Sequence, residues 1–308
     1  MTWQALVNRI RADNTSGAAE LARAAAMVSL GWIDQTSSWP LPEWKAELSA
    51  FAHALYMAQP AMAPLFNLVN QMLLVSESTA IQQEVRPSVR HAIQAFLEQG
   101  DQANRRLATA TLGTLPRDAR VLTFSYSSSV LAVLLEANAC QHLSVVFCTE
   151  SRPVLEGQRL ARALTRTGIS VEFGVDAAIA TLAAQAHVAL IGADSITGQG
   201  VINKLGTTSL SLICRHVGMP CYVVGDQLKW MPTAAAMPAF SQPKPEAEVW
   251  HDPPVGVTIS NVYFECTPLP LFSGIIGEVG VRGPEDVLRQ LNDMPVAHAL
   301  RQRLPGTH

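Results

Sequence analysis

Charge is sparse in this sequence. Charged residues make up 15% of the 308, lysine occurs only at Lys45, Lys204, Lys229 and Lys244, and the formal net charge is -3. No basic surface is available for nucleic acid or an anionic membrane, so neither is an expected partner. Cysteine is scarce too. The five thiols, Cys140, Cys148, Cys214, Cys221 and Cys266, are odd in number, form no CxxC and never pair with histidine at metal-ligand spacing. They read as small core residues of a protein in a reducing compartment, so a cytoplasmic location is expected and no metal site is assigned. No run of about 18 apolar residues is free of charge or proline, which predicts no membrane span. The opening Met1-Thr2-Trp3-Gln4 lacks the basic and apolar blocks of a signal peptide. Neither GxGxxG nor a Walker loop follows the first strand candidate, which argues against a dinucleotide-dependent oxidoreductase; no cofactor is expected.

Apolar residues are plentiful, at 48%. That proportion rules out disorder of the whole chain, and the length suits two domains, with apolar surface to spare for a subunit interface. Residues 1–114 read as a helical domain. The alanine-rich stretch 16–26, with Thr15 or Ser16 as a cap, is followed by helical stretches at 42–58, 60–76 and 88–106. In the last, Val89, Ile93 and Phe96 recur at helical spacing, marking one buried face. Gly113 and Pro116 then punctuate the chain.

Residues 115–308 read differently. Short β-branched runs at 121–126, 143–149, 169–174, 188–193, 221–225 and 257–265 alternate with helix candidates at 128–139, 155–167, 177–186 and 204–217. The whole is therefore an α/β protein in which an N-terminal helical domain precedes a Rossmann-like domain with a mainly parallel sheet. The six prolines of 231–254 interrupt this rhythm and predict either a partner-contacting loop or a plain insertion.

In such sheets ligands bind beyond the carboxyl ends of the strands. Four serines fall within residues 125–129, where the first strand hands over to a helix. Ser127, Ser128 and Ser129 could hold a phosphate at that helix N-terminus, or could be ordinary caps. Asp194 ends a very apolar strand, where a carboxylate is costly unless solvated, paired or functional. Asn203 and Lys204 are expected to open the next helix. A lysine there opposes the helix dipole, so it calls for a nearby anion; a salt bridge to Asp194 is the alternative. Arg152 and Lys229 also follow strand ends. Singly each is a surface charge, but with Asp194 and Lys204 they suggest an anion-binding rim.

These residues resemble the alpha, beta and delta subunits of translation initiation factor 2B and their relatives, the ribose-1,5-bisphosphate and methylthioribose-1-phosphate isomerases. The likeness is carried by Ser16-Gly17-Ala18-Ala19, by Glu150-Ser151-Arg152-Pro153 with Gly157 and Arg159, and by Gly192-Ala193-Asp194. Val201-Ile202-Asn203-Lys204-Leu205-Gly206-Thr207 is its most specific part, followed by Tyr222-Val223-Val224, Lys229, Thr267-Pro268 and Ile275-Ile276-Gly277-Glu278-Val279-Gly280. The resemblance implies a cleft between the two domains, pairing into a homodimer or higher homo-oligomer, and a phosphorylated ligand, either a sugar phosphate or a nucleoside monophosphate. In the isomerases an aspartate and a cysteine move the protons that turn an aldose into a ketose. Asp194 matches the aspartate, while Ser125 stands where the cysteine would be. Asn203, Lys204, Lys229, Arg152, Gly17, Ala18 and the serine loop match ligand-holding positions. A thiol can be tuned to exchange protons near neutrality, whereas an unactivated hydroxyl cannot. Two arginines of the bisphosphate isomerases are Ser16 and Gln59 here, which argues against a doubly phosphorylated substrate. Two functions are thus expected: an isomerase with an altered site, or a non-catalytic metabolite-sensing or regulatory subunit.

Overall fold

The computed structural model describes residues 2–14, 16–235 and 239–301. Five helices come first: α1 (Trp3–Ala12), α2 (Ala18–Gln35), α3 (Leu41–Tyr56), α4 (Ala63–Ser78) and α5 (Val85–Leu112). Their apolar faces meet around Trp32, Trp44, Phe51 and Phe66, with the Trp32 and Phe51 rings stacked at 5.0 Å. Thr15 lies outside the described residues, and Gly17 is the N-cap of α2. Its N–H donates to the Glu20 carboxylate one turn on, which satisfies an end of the helix that no capping hydroxyl serves. Pro87 falls in the first turn of α5, where its missing N–H costs no ladder bond. The far half of α5 leaves the helical layer and packs on α6 (Ser128–Ala139), so one helix joins both halves of the molecule.

The second half contains β1 (Ala119–Thr123), β2 (Leu143–Thr149), α7 (Glu156–Thr165), β3 (Val171–Gly174), α8 (Ile179–Ala183) and β4 (Val188–Ile191). It continues with β5 (Ser195–Ile196), β6 (Val201–Lys204), α9 (Thr207–His216), β7 (Cys221–Val224), β8 (Phe264–Thr267), β9 (Gly274–Gly277), β10 (Gly280–Arg282), α10 (Pro284–Asp293) and α11 (His298–Arg301). Seven strands form one sheet in the order β10-β9-β7-β4-β1-β2-β3, parallel except for the edge strand β10. Along β4 alternate residues feed opposite cores: Val188 and Leu190 pack toward α6 and α7, Ala189 and Ile191 toward α8, α9 and α10. That alternation is what a sheet covered on both faces requires.

Several expectations are corrected. Asn203 and Lys204 do not open a helix. They end β6, which is hydrogen-bonded on both sides in a separate antiparallel sheet ordered β5-β6-β8; α9 begins only at Thr207. Gly206, at a φ of 109°, makes the turn between them, and a side chain there would meet Phe124 at 2.7 Å. The argument from a lysine opposing a helix dipole therefore falls. The strand expected at 257–265 is confined to β8 and belongs to this small sheet, because its partner is β6. Strands β9 and β10 go unread in the sequence because glycines begin and end β9 and open β10. Residues 231–235 and 239–263 form a long strap in which the one helical turn among the described residues is Glu246–Glu248. No helix among the described residues is long and apolar enough to cross a membrane.

Candidate functional site

The strand order reverses between β1 and β4, so their carboxyl ends part around a crevice, the place where open α/β sheets bind ligands. The loop after β1 carries Phe124 to Ser127. Ser127 caps α6, its hydroxyl accepting the Val130 N–H at 3.3 Å. Across the crevice, a Cβ on Gly192 would lie 2.5 Å from Cβ and Oγ of Ser127; glycine there lets the two loops close on each other. Ser125 is held in the left-handed region at a φ of 63°, its N–H donated to Ser151 Oγ at 2.8 Å. Among the described residues its own hydroxyl has no hydrogen-bond partner, and so no base to activate it.

Asp194 follows β4. Its main chain is fixed on both sides, by its N–H to Ile202 O and by the Ala63 N–H to its carbonyl, while its side chain opens into the cleft. Burial lifts the carboxyl to about 6; Lys229 and Lys204 pull it down and Glu156 pushes it up. Lys204, 2% exposed, donates to Glu156 Oε1 at 2.7 Å. The salt bridge that the sequence suggested between Lys204 and Asp194 is therefore made to Glu156 instead. Lys229, 4% exposed, reaches only Ser129 Oγ, at 3.4 Å, and forms no ion pair among the described residues. A buried ammonium held by one weak neutral contact is costly unless an anion arrives.

Gly17 closes the cleft from the helical side, beside Asp13, Asn14, Ser16 and Gln59. Gln59 spends its amide on the carbonyls of Ile10, Arg11 and Asp13, at 2.9–3.3 Å, shaping the α1–α2 turn as a part of the wall. Tyr263 and Lys244, from the strap, complete the lining.

The fold thus brings Gly17, Ser125, Asp194, Asn203 and Lys204 into one cleft. Ser128 and Lys229 line a more apolar cavity at the start of α6, between α2 and α5. Ser129 is buried against Lys229. Ala18 is packed in the helical core. Arg152 does not face the cleft. Its peptide bond to Pro153 is cis, and its guanidinium donates to the carbonyls of Glu248 and Val249 at 3.1 Å, tying down the strap. Asn203 donates to Thr207 Oγ1 at 3.0 Å, bracing the turn into α9. Glu156, Tyr263 and Asp13 escaped the sequence reading, and Lys244 stood out only as one of four lysines. Glu156 had a signal, since it opens the helix after β2; the others come from turns whose position no local pattern gives.

With this geometry in place the comparisons are decisive. A family model described as the initiation factor 2 subunit family matches residues 14–284. The chain belongs to that family. An eIF-2B subunit 2-like protein of Pyrococcus abyssi is 30% identical over 280 residues, covering 90% of this chain and 94% of its relative. The ribose 1,5-bisphosphate isomerase of Archaeoglobus fulgidus is 28% identical over 281 residues, covering 90% and 88%. Among solved structures, the translation initiation factor eIF-2B of Pyrococcus horikoshii superposes with a TM-score of 0.79 at 26% identity, over 92% of this chain and 98% of that one. Family membership accounts for the helical layer, the sheet and the cleft together. It does not choose between a factor and an isomerase, since relatives of both descriptions match across nearly the whole length.

Proposed function

We propose that the cleft binds a phosphorylated sugar or nucleoside monophosphate and that Asp194 serves as a proton-transfer group for an aldose–ketose isomerisation. The observation that carries this reading is a carboxyl lifted to about 6, facing a cleft it shares with the buried Lys204 and lying within the field of the buried Lys229. A group that titrates near pH 6 can both take and return a proton, as moving hydrogen between C2 and C1 of an opened aldose requires. The phosphate fits at the start of α6, where unsatisfied N–H groups, the Ser128 and Ser129 hydroxyls and the Lys229 ammonium converge. Asn203 and Lys204 hold sugar oxygens. Ribose 5-phosphate followed by NMR tests the chemistry. Conversion to a ketose that disappears in Asp194→Asn supports the isomerase, and unchanged turnover in that variant overturns the role of Asp194.

A second reading rests on Ser125. Its unactivated hydroxyl leaves the second proton without a carrier, which favours a sensor or regulatory subunit that binds the same ligand and leaves it intact. Under that reading NMR shows no product while the ligand still raises the melting temperature. We propose self-association in either case, with the exposed Leu205 and Leu212 beside α9 as candidate contact residues; sedimentation velocity tests it, and a monomer at micromolar concentration contradicts it.

A further inference from the structure

With an unactivated Ser125, an isomerisation in this cleft has one proton without a carrier, and the cleft holds a second carboxyl group that can take it. Glu156, the first residue of α7, lines the cleft together with Ser125, Asp194, Asn203 and Lys204. Its two oxygens are not equivalent. Oε1 accepts from Lys204 Nζ at 2.7 Å, whereas Oε2 is buried and has no hydrogen-bond partner among the described residues. A bare carboxylate oxygen inside a protein is costly, and pairing with Lys204 accounts for the first oxygen only. Glu156 also raises the carboxyl of Asp194 through its charge, so the two groups bear on each other across the cleft.

The backbone holds Glu156 firmly in place. A Cβ on Gly157 would lie 1.7 Å from Thr149 O, so a glycine seats the start of α7 directly on the end of β2. Leu155, the N-cap, sits in the left-handed region at a φ of 63°, with its N–H donated to Ser151 O at 3.0 Å. A branched side chain seldom adopts that conformation, and such strain gathers where a fold must aim a functional group. The same turn reaches the other side of the site, because Ser151 Oγ accepts the Ser125 N–H at 2.8 Å. One loop thus fixes Glu156 and the end of β1 together.

The geometry points to Glu156 as a second catalytic residue, carrying a proton between the two oxygens of an opened aldose while Asp194 carries one between its carbons. This inference rests on the isomerase reading and supplies the group which that reading lacks. Asp194 takes the C2 proton, the C2–H electron pair becomes the C1=C2 bond, and charge moves onto O1, where the Lys204 ammonium stabilises it. Glu156 Oε2 takes the proton of O2 and passes it to O1. Asp194 then returns its proton to C1 as the C2=O2 bond forms. C2–H and O2–H break, C1–H and O1–H form, and both carboxylates end as they began. Ser125 needs no base in this scheme.

Ribose 5-phosphate in heavy water, followed by NMR, reads the two carboxyl groups separately, since C2 deuteration reports Asp194 and ketose formation needs both. Glu156→Gln lowers ketose formation about 100-fold or more, the scale of general acid–base catalysis, yet still exchanges the C2 hydrogen for deuterium. Asp194→Asn does neither. Should the Gln variant fail to fold beside the buried Lys204, Glu156→Asp keeps the charge but draws the carboxylate back, and shows the same split between turnover and exchange. A residue that served only as the counter-ion of Lys204 would lose exchange and turnover together. That result, or turnover in Glu156→Gln within about twofold of the parent, overturns the inference while leaving Asp194 its role. So does a parent that exchanges C2 hydrogen without forming a ketose. A parent that does neither overturns the isomerase reading and this inference with it.

Discussion

Asp194 is where sequence, burial and chemistry meet most directly. Its place at the end of an apolar strand was legible, because a carboxylate after Val188 to Ile191 has no local reason to be there. The sign of its pH behaviour comes from the structure. A carboxyl raised to about 6 holds its proton in the folded chain at pH values where the unfolded chain has lost it. Stability contributed by the neutral form is therefore full below about 4 and lost as pH rises through about 6. The penalty above that point is at most about 3 kcal/mol, from the usual conversion of pKa shift to free energy. Asp194→Asn should thus melt higher than the parent at pH 8 and gain little at pH 4, while losing turnover. An Asn variant less stable at both pH values would contradict this reading of the site. If Asp194 acts as the base, kcat/KM should fall as pH drops below about 6. Lys229 was visible only as a lysine after a strand; that it would be buried without an ion pair among the described residues was not. Lys229→Met should fold at least as well and lose the ligand's stabilising effect, which a thermal-shift titration reads directly.

At the scale of elements, patterns confined to a few neighbouring residues were readable and pairings across the chain were not. The strands β1, β2, β4 and β7 stand out as β-branched runs because both their faces are buried. The stretch 201–207 misled, since nothing local reveals that Val201–Lys204 pairs with Phe264–Thr267 far downstream. Arg152 misled in a similar way. Its strand-end position was correct, yet its partner is a strap whose path no periodicity describes. The close approach of Gly192 to Ser127 is the element-level feature that shapes the loop after β1. Gly192→Ala forces the α6 N-terminus away from β4 and should cost about 1–3 kcal/mol, as overpacking does. Chemical denaturation measures it, and ligand binding should weaken in parallel. A variant with parental stability and affinity would show that the loops have room to spare.

Across the whole molecule the cleft depends on how the helical layer is fastened to the sheet. Ser195, next to Asp194, is the fastening nearest the site: its hydroxyl donates to Ala61 O at 2.7 Å and accepts the Ala63 N–H at 2.8 Å. Ser195→Ala removes both bonds, leaving the Ala63 N–H only its longer contact to the Asp194 carbonyl, and should cost about 1–3 kcal/mol. It should also loosen ligand binding, because the α4 end and Asp194 shift together. Farther away, Asn70 holds Pro295 O and the Ala297 N–H, and Val296, Ala297 and Leu300 complete the helical core. We therefore propose that the helical unit of residues 1–114 needs the chain's final segment. That fragment alone should melt with poor cooperativity, and a sharp two-state transition would contradict this. Alternating strand and helix patterns foretold an α/β chain and composition foretold apolar surface to bury; neither could foretell that the last described helix returns to the first layer.

Central to all of this is the proposed anion site at Lys229, at the start of α6 and next to the Asp194 cleft. The most direct measurement is thermal unfolding of the full chain against a panel of sugar phosphates and nucleoside monophosphates, repeated in Lys229→Met, with NMR on every compound that binds. The account predicts a rise in melting temperature with at least one phosphorylated compound and its loss in Lys229→Met. A panel without effect, or a rise that survives Lys229→Met, would contradict it.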